Sequence, residues 1–296
     1  MAAKRKGHLD GETEIEQRRS DVSLRVSPVK PCPLCGKDPR RVEPAGNRAA
    51  LVRCQSCGLV FAASGATTAD LYERAYGSDA HQYAEYHDLA KKAHRGEIRE
   101  TWAMRHFFRK TAASGLLLDV GCSTGSFLFA ARQRGWKVAG VEISPSAAHV
   151  ARELTGAAIT VGTVTDHVVN ITYDAVTAWE VLEHVTEPRA FVAACVDLLA
   201  PGGALAISVP NWRSPWMRNS PHSEHWPPFH LSYWERETLS YLFHQAGLDR
   251  IVVLEKPFAW EEEVGWAKWL YLPVALVRSA LLGAKGMHLF AMGWKR

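Results

Sequence analysis

The chain has 296 residues, of which 47% are hydrophobic and 22% are charged, a balance typical of a globular protein with a large core. The formal net charge of +4 is too small to argue by itself for a nucleic-acid-binding protein. The polar N-terminus lacks the apolar stretch of a signal peptide, and the six cysteines do not suggest a secreted disulfide framework. We therefore expect a cytoplasmic protein.

The first 65 residues contain two different regions. Residues 1–27 are charged and poor in apolar side chains, which predicts a disordered tail. Residues 28–65 hold two CxxC-Gly motifs, and each places two sulfurs on one tight turn. Zinc takes four such ligands, and short strand patterns lie between and after the motifs, so a structural zinc ribbon is predicted. Its ligands are Cys32, Cys35, Cys54 and Cys57. A redox dithiol is the alternative.

Residues 66–113 have apolar and aromatic side chains at helical spacing, which predicts a helical linker or cap. Such an aromatic stripe usually packs in a core. Because these helices directly precede the central strand, they could also cover a ligand pocket, and Tyr83 and Tyr86 are the candidates on the substrate side.

An alternation of strands and helices begins at residue 114. An apolar strand over 116–120 ends in a glycine turn, Gly121–Gly125, and a helical pattern follows. Glycine lets the backbone approach a ligand closely, and a helix start supplies free N–H groups. Strand, turn and helix together predict a nucleotide-shaped pocket at the carboxyl end of a parallel sheet.

The next strands are predicted over 137–142, 158–161, 173–179 and 204–209. The second strand ends at Glu142, whose carboxylate could accept both hydroxyls of a ribose. Ser144 and Pro145 predict a capped helix start, Pro188 opens another helix, and a Pro-Gly-Gly turn at 201–203 leads into the fifth strand.

The series DVGCSTGSF, GVEIS, YDAVTAWEVLEHV and LLAPGGALAISVPN resembles the class I S-adenosylmethionine-dependent methyltransferases over residues 114–254. Within that class it is most similar to the ubiquinone-biosynthesis type. The resemblance implies an α/β Rossmann-like sheet of seven strands, with the last strand antiparallel and helices on both faces. A nicotinamide enzyme would share the glycine turn, but the EVLEHV and PGG segments do not belong to that class.

The resemblance also implies which residues hold S-adenosylmethionine. Residues around the methionine end, the ribose, the adenine and the sulfonium would be Asp119, Gly121, Cys122, Gly125, Glu142, Ile143, Thr163, Val164, Trp179 and Glu180. One departure is Ser123, which stands where the family has the middle glycine of its turn. Serine is expected to be tolerated there if its φ is negative.

Two insertions are predicted in the methyltransferase domain, which spans residues 114–296. The first, 211–234, reads as an irregular aromatic loop, and its PPFHLSYW segment resembles a substrate-side element of ubiquinone-type and sugar-modifying methyltransferases. Trp226 and Phe229 are its substrate-side candidates, and His230 matches the family histidine. The second, 257–285, lies before the last strand at 287–294. Its basic, tryptophan-rich part, 261–285, fits either a helical cap or a helix lying on a membrane surface.

Methyl transfer from a sulfonium needs a general base only if the acceptor carries a proton to lose, as a hydroxyl does. His184 and His230 are the candidate bases, and Glu183 could orient one of them. A buried structural role is the alternative for His184. The resulting prediction is O-methylation of a small sugar, polyprenyl or lipid-linked acceptor. The alternatives are an RNA-modifying methyltransferase that uses the ribbon for binding, and a non-catalytic scaffold that binds S-adenosylmethionine or zinc.

Overall fold

A computed structural model describes residues 31–38, 40–43, 51–63, 88, 91–92, 95, 101–111, 114–256 and 286–296. All of them belong to one compact unit, Pro31–Arg296. The predicted tail at 1–27, the insertion at 257–285 and the tyrosines Tyr83 and Tyr86 lie outside the described residues. Within the described part of the chain, no helix is both long and apolar enough to cross a membrane.

Seven strands form the central sheet. In chain order they are β4 (Gly115–Val120), β5 (Trp136–Glu142), β6 (Ala158–Val161), β7 (Tyr173–Trp179), β8 (Leu199–Pro210), β10 (Leu248–Glu255) and β11 (His288–Lys295). Their spatial order is β10-β11-β8-β7-β4-β5-β6. The pairs among β4 to β8 are parallel, whereas β11 is antiparallel to both β8 and β10. The predicted sheet with an antiparallel last strand is therefore confirmed.

The apolar sequence runs explain why these strands lie inside. The last four residues of β4 are buried, as are five consecutive residues of β11. Strands buried on both faces need such continuous hydrophobic runs, because helices cover the sheet on each side. The strand order changes direction between β4 and β7, and ligands bind at the carboxyl ends of strands beside such a switch point.

The helices are α1 (Trp102–Lys110), α2 (Ser126–Gln133), α3 (Pro145–Thr155), α4 (Pro188–Asp197), α5 (Pro215–Arg218) and α6 (Arg236–Gln245). The predicted start of α3 is confirmed: the Ser144 side chain accepts a hydrogen bond from the N–H of Ala147, and Pro145 is the first helical residue. The helix ends at Gly156, which adopts the left-handed conformation.

One core cluster joins α1 and α2 to the sheet. Phe107 is fully buried and packs edge-on against Phe127 and Trp179. Trp179 in turn stacks on Phe290 of β11. Aromatic residues from four distant segments thus meet beneath the carboxyl end of β7, which fixes the position of Trp179 at the edge of the site.

A second, smaller sheet joins the N-terminal region to the methyltransferase fold. It contains β1 (Arg40–Glu43), β2 (Leu51–Cys54), β3 (Val60–Ala62) and β9 (Ser232–Tyr233), in that spatial order and all antiparallel. The fourth strand comes from the first insertion, so the description of residues 211–234 as an irregular loop was wrong. The insertion also contains α5 and a 3-10 turn at Ser223–His225.

Candidate functional site

The turn after β4 has the backbone conformation that its glycines predicted. Gly121 and Gly125 have φ values of 76° and 81°, which lie in the left-handed region. A Cβ atom on Gly121 would collide with the side chain of Val181. The N–H of Gly121 donates to the carbonyl of Val141 at 2.8 Å, so β5 holds the turn in place. The turn is a narrow cradle that leaves backbone accessible beside the start of α2.

Ser123 does not meet the condition under which serine was expected to be tolerated, because its φ is 49° and not negative. A left-handed conformation costs an ordinary residue about 1–2 kcal/mol. The N–H of Ser123 donates to Oε2 of Glu142 at 2.8 Å, and this charge-assisted bond offsets the cost. The turn therefore keeps the glycine-like shape without glycine at this position.

Glu142 is buried and anchored by backbone on two sides. Its Oε2 accepts from Ser123, and its Oε1 accepts from the N–H of Ser144 at 2.9 Å. One side chain thus links the glycine turn to the start of α3.

Asp119 lies at the end of β4, directly before the turn, and is fully buried. The Thr177 hydroxyl donates to its Oδ1 at 2.6 Å. Burial raises the pKa of Asp119 to about 8, although the Thr177 bond opposes this, and the charge of Glu142 adds to the rise. Cys122 is also buried, and burial raises its thiol pKa well above the ordinary value.

The predicted adenine-side residues lie after β5 and β6. Ile143 is half-buried beside Glu142, and Val164 is buried at the start of a short 3-10 turn, Val164–Asp166. Thr163 is held in place because Asp166 accepts from both its N–H and its hydroxyl. The N–H of Gly162 donates to the carbonyl of Glu142 at 2.9 Å, which brings this turn next to the predicted ribose position.

Trp179 is the last residue of β7, and Glu180 follows it directly. The indole N–H of Trp179 is buried and has no hydrogen-bond partner among the residues that the structure describes. Glu180 has a φ of 55°, and its Oε1 accepts from the Ser208 hydroxyl at 2.6 Å. Its Oε2 lies 3.7 Å from Nε2 of His288.

Glu183, His184 and His230 form a buried cluster beside this strand end, and we call these three residues the histidine wall. His184 and His230 are in edge-to-face contact with ring centroids 4.7 Å apart. Oε1 of Glu183 lies 3.9 Å from Nε2 of His184. One ligand atom from each residue lies within 4.8 Å of the others, so the three side chains could also hold a metal ion.

The two imidazoles of the histidine wall, those of His184 and His230, are uncharged at neutral pH. Burial lowers the pKa of His184 to about 4 and the pKa of His230 well below its ordinary value. Burial also raises the pKa of Glu183 well above its usual range, and the charge of Glu180 adds to this rise. The Nδ1–H of His184 donates to the carbonyl of Phe229 at 3.0 Å, which fixes the orientation of the ring.

The substrate-side candidates in the insertion have different surroundings. Trp226 is buried, and its indole N–H donates to the carbonyl of Ser220. Phe229 is half-buried, and its carbonyl anchors His184. Nδ1 of His225 pairs with the Ser220 hydroxyl at 2.6 Å, and its ring centroid is 5.4 Å from that of His230. Contact of Trp226 and Phe229 with an acceptor stays a prediction.

The four predicted metal-binding thiols converge. The Sγ atoms of Cys32 and Cys57 are 3.6 Å apart, those of Cys35 and Cys54 are 3.5 Å apart, and all four lie within 4.8 Å of one another. Zn–S bonds of about 2.3 Å in a tetrahedron require sulfur separations of about 3.8 Å. The donor set and its spacing therefore fit a structural zinc ion.

Three residues that support the site do not belong to any sequence motif that predicts a functional site. Thr177 and Ser208 are buried hydroxyls that bind Asp119 and Glu180. His288 comes from β11, more than one hundred residues beyond Glu180. The sequence indicates Thr177 and Ser208 only by placing a hydroxyl side chain within an apolar strand, where a buried hydroxyl needs a hydrogen-bond partner.

The sheet order, the antiparallel β11 and the glycine turn facing Glu142 define the class I S-adenosylmethionine-dependent methyltransferase fold. The family model described as "Methyltransferase domain" matches residues 92–253, more than half of the chain, and the chain belongs to this family.

Individual known proteins agree with this assignment. A ubiquinone biosynthesis O-methyltransferase from Idiomarina loihiensis is 36% identical over 103 residues, which are 32% of this chain and 42% of the relative. The chain thus matches less than half the length of that relative. Phosphoethanolamine N-methyltransferase 2 from Haemonchus contortus, solved with S-adenosylmethionine, has a TM-score of 0.57 at 15% identity, covering 80% of this chain and 61% of that one. A methyltransferase from Thermotoga maritima has a TM-score of 0.54 at 16% identity, covering 77% of this chain and 100% of that one. At these identities the structures show the fold alone.

Proposed function

We propose that the chain transfers a methyl group from S-adenosylmethionine to a hydroxyl of a small-molecule acceptor. The observation that carries this proposal is the histidine wall: two neutral imidazoles and a carboxyl group beside Trp179 and Glu180. A hydroxyl acceptor must lose a proton during transfer, and a neutral imidazole is a group that can accept it.

The residues predicted to hold S-adenosylmethionine support this cofactor as the methyl donor. Gly121, Gly125 and the anchored carboxylate of Glu142 fit a nucleoside with an extended tail. When bound, S-adenosylmethionine supplies an already activated methyl group. The protein then has to orient the acceptor oxygen and exclude water.

The low pKa of His184, about 4, restricts the acceptor. Such an imidazole is a weak base, and the more acidic hydroxyl of a phenol or catechol suits it better than an aliphatic hydroxyl. A divalent cation on Glu183, His184 and His230 would achieve the same result by lowering the pKa of a bound hydroxyl. A prenylated catechol is the acceptor that we favour, since relatives that match 32% of this chain are named for ubiquinone biosynthesis.

RNA methylation has less support from the structure. Arg53, one of the basic residues that kept this alternative open, donates to Glu235 at 2.8 Å and to the carbonyl of Gly58 at 3.0 Å. Its guanidinium is thus engaged within the protein. Nucleic-acid binding by the ribbon and membrane contact by residues 261–285 stay predictions.

The test is methyl-label transfer to four acceptors: a prenylated catechol, the same catechol without the prenyl chain, a methyl glycoside and total tRNA. We expect the label on the prenylated catechol. The assay is run with Mg²⁺ and without metal, which decides whether an imidazole or a divalent cation activates the hydroxyl. Glu142→Ala is the control that lacks the ribose acceptor. Label on tRNA alone would support the RNA alternative, and absence of S-adenosylmethionine binding by calorimetry would leave only the scaffold.

A further inference from the structure

The zinc ribbon and the acceptor side share one sheet. Val60 and Phe61 of β3 pair with Tyr233 and Ser232 of β9. The N–H of Ala62 also donates to the carbonyl of Leu231 at 2.9 Å. The segment directly after His230 is therefore an edge strand of the ribbon as much as it is a part of the methyltransferase domain.

The other side of the same segment holds the histidine wall. The N–H of Leu231 donates to the carbonyl of Glu183 at 2.7 Å, and the Ser232 hydroxyl donates to the carbonyl of Leu182 at 3.3 Å. Two residues earlier, the carbonyl of Phe229 accepts from His184. Residues 229–233 thus lie between β3 and the turn that carries Glu183 and His184, and they are bonded to both.

Side chains reinforce the connection. Leu51 and Val60 of the ribbon pack with residues of the insertion in one buried cluster, which also contains Trp212, Met217, Trp226 and Tyr233. Arg53 directly precedes Cys54, one of the four predicted zinc ligands, in the sequence. Its guanidinium binds the carbonyl of Gly58 in the second CxxC-Gly motif and Oε1 of Glu235, whose Oε2 accepts from Arg213 of the insertion.

The cofactor turn is held differently. Gly121 and Ser123 are bonded to Val141 and Glu142, at the end of β5. These bonds lie within the methyltransferase fold itself. Loss of order in the ribbon is therefore transmitted to the acceptor side along 229–233 and not to the S-adenosylmethionine side.

We propose that the zinc ribbon is a positioning element of the acceptor site, and that Arg53 is a positioning residue within it. Zinc bound by the four cysteines orders β2 and β3, which fix the 229–233 segment and so set the geometry of His184 and His230 relative to the acceptor oxygen. This inference rests on the proposed function for its effect on catalysis, but its structural part does not.

The experiment compares the full chain with Arg53→Met, Arg53→Lys and Cys35→Ser, and uses Lys37→Met, at an exposed ribbon position, as the matched control. Four quantities are measured: zinc per chain, S-adenosylmethionine affinity by calorimetry, amide hydrogen exchange by mass spectrometry, and kcat and KM with the prenylated catechol. Arg53→Met retains all four thiols, so it tests the connection even if Cys35→Ser does not fold.

For Arg53→Met we expect retained zinc, exchange in 229–235 faster by about tenfold, and unchanged exchange in 115–125. S-adenosylmethionine affinity should stay within about twofold, while kcat/KM for the acceptor falls about tenfold, since small misplacements at a reacting centre have large effects on rate. Arg53→Lys should recover most of the rate, and Lys37→Met should match the full chain.

Two results would overturn the inference: unchanged exchange in 229–235 in both Arg53→Met and Cys35→Ser, or equal weakening of cofactor affinity and acceptor turnover. Failure of the proposed function gives a separate result. In that case the unaltered chain does not methylate the catechol, while the exchange measurements still decide whether the ribbon holds the segment.

Discussion

The two halves of the site are built in different ways. The cofactor side comes from two neighbouring strand ends, with Asp119, the glycine turn and Glu142 all within a stretch of 24 residues. The acceptor side brings together the turn after β7, the insertion and the ribbon, and its bonds connect residues such as Ala62, Glu183 and Leu231. A locally built half tolerates distant changes, whereas a half assembled from three segments depends on all of them.

The largest effect is expected from a substitution of His184, which should change the chemistry on the acceptor side and leave cofactor binding intact. Replacing His184 by asparagine keeps a donor for the carbonyl of Phe229 but removes the Nε2 lone pair. We expect kcat to fall by about 10²- to 10³-fold, the range of general-base catalysis, with cofactor affinity unchanged. Single-turnover kinetics and calorimetry measure the two quantities.

The exposed His149 is the matched control for this change, because it lies on the surface of α3. His149→Asn should leave both quantities unchanged. An equal loss of cofactor affinity in His184→Asn would show that the halves are not separate.

The next effect concerns stability against pH on the acceptor side. The pKa of His184 is about 4 in the folded protein and about 6.5 in the unfolded chain. Between these values the unfolded state binds more protons, so the free energy of unfolding rises with pH, by about 3 kcal/mol in total. The contribution is complete above pH 6.5 and is lost as the pH falls to 4.

Urea denaturation of the full chain and of His184→Asn at several pH values isolates this contribution as a difference in slope. Equal slopes from pH 4 to 6.5 would mean that His184 has the same pKa in the folded and the unfolded chain, so that burial does not lower it.

A third change tests the cofactor half. Glu142→Ala removes the predicted ribose acceptor and the two backbone anchors to Ser123 and Ser144. Hydrogen bonds to a charged group contribute roughly 1.5–3 kcal/mol, so the Kd for S-adenosylmethionine should rise by about 10- to 150-fold. Calorimetry measures this, and Glu153→Ala, an exposed change on α3, is the control. Faster exchange in 229–235 would contradict the separation of the halves.

The smallest effect is expected at Ser123. Its φ of 49° is unfavourable for serine, and glycine relieves this, although glycine also gains entropy in the unfolded chain. We expect Ser123→Gly to raise the free energy of unfolding by about 0.5 kcal/mol and to leave cofactor affinity within twofold. Thermal denaturation with and without S-adenosylmethionine measures both. A lower melting temperature would show that the serine side chain has a role of its own.

The sequence by itself determined the sheet and the family, and it predicted the residues of the cofactor half. Apolar runs ending in a glycine turn or an acid are local patterns, and parallel strands must bring their carboxyl ends to one edge. The strands β6 and β7 lie at the predicted residues, and the four cysteines converge as their spacing indicated. The sequence around Ser123 does not show how its positive φ is tolerated, because the compensating bond comes from Glu142, on another strand.

Only the tertiary structure decided how the acceptor half is assembled. No local pattern shows that Ser232 and Tyr233 form a strand, because a two-residue strand exists only through its partner, β3. The supports from Thr177, Ser208 and His288 depend in the same way on which strands become neighbours. Burial gives His184 its low pKa, and burial is a property of the packed fold, which the sequence around Glu183 and His184 does not contain.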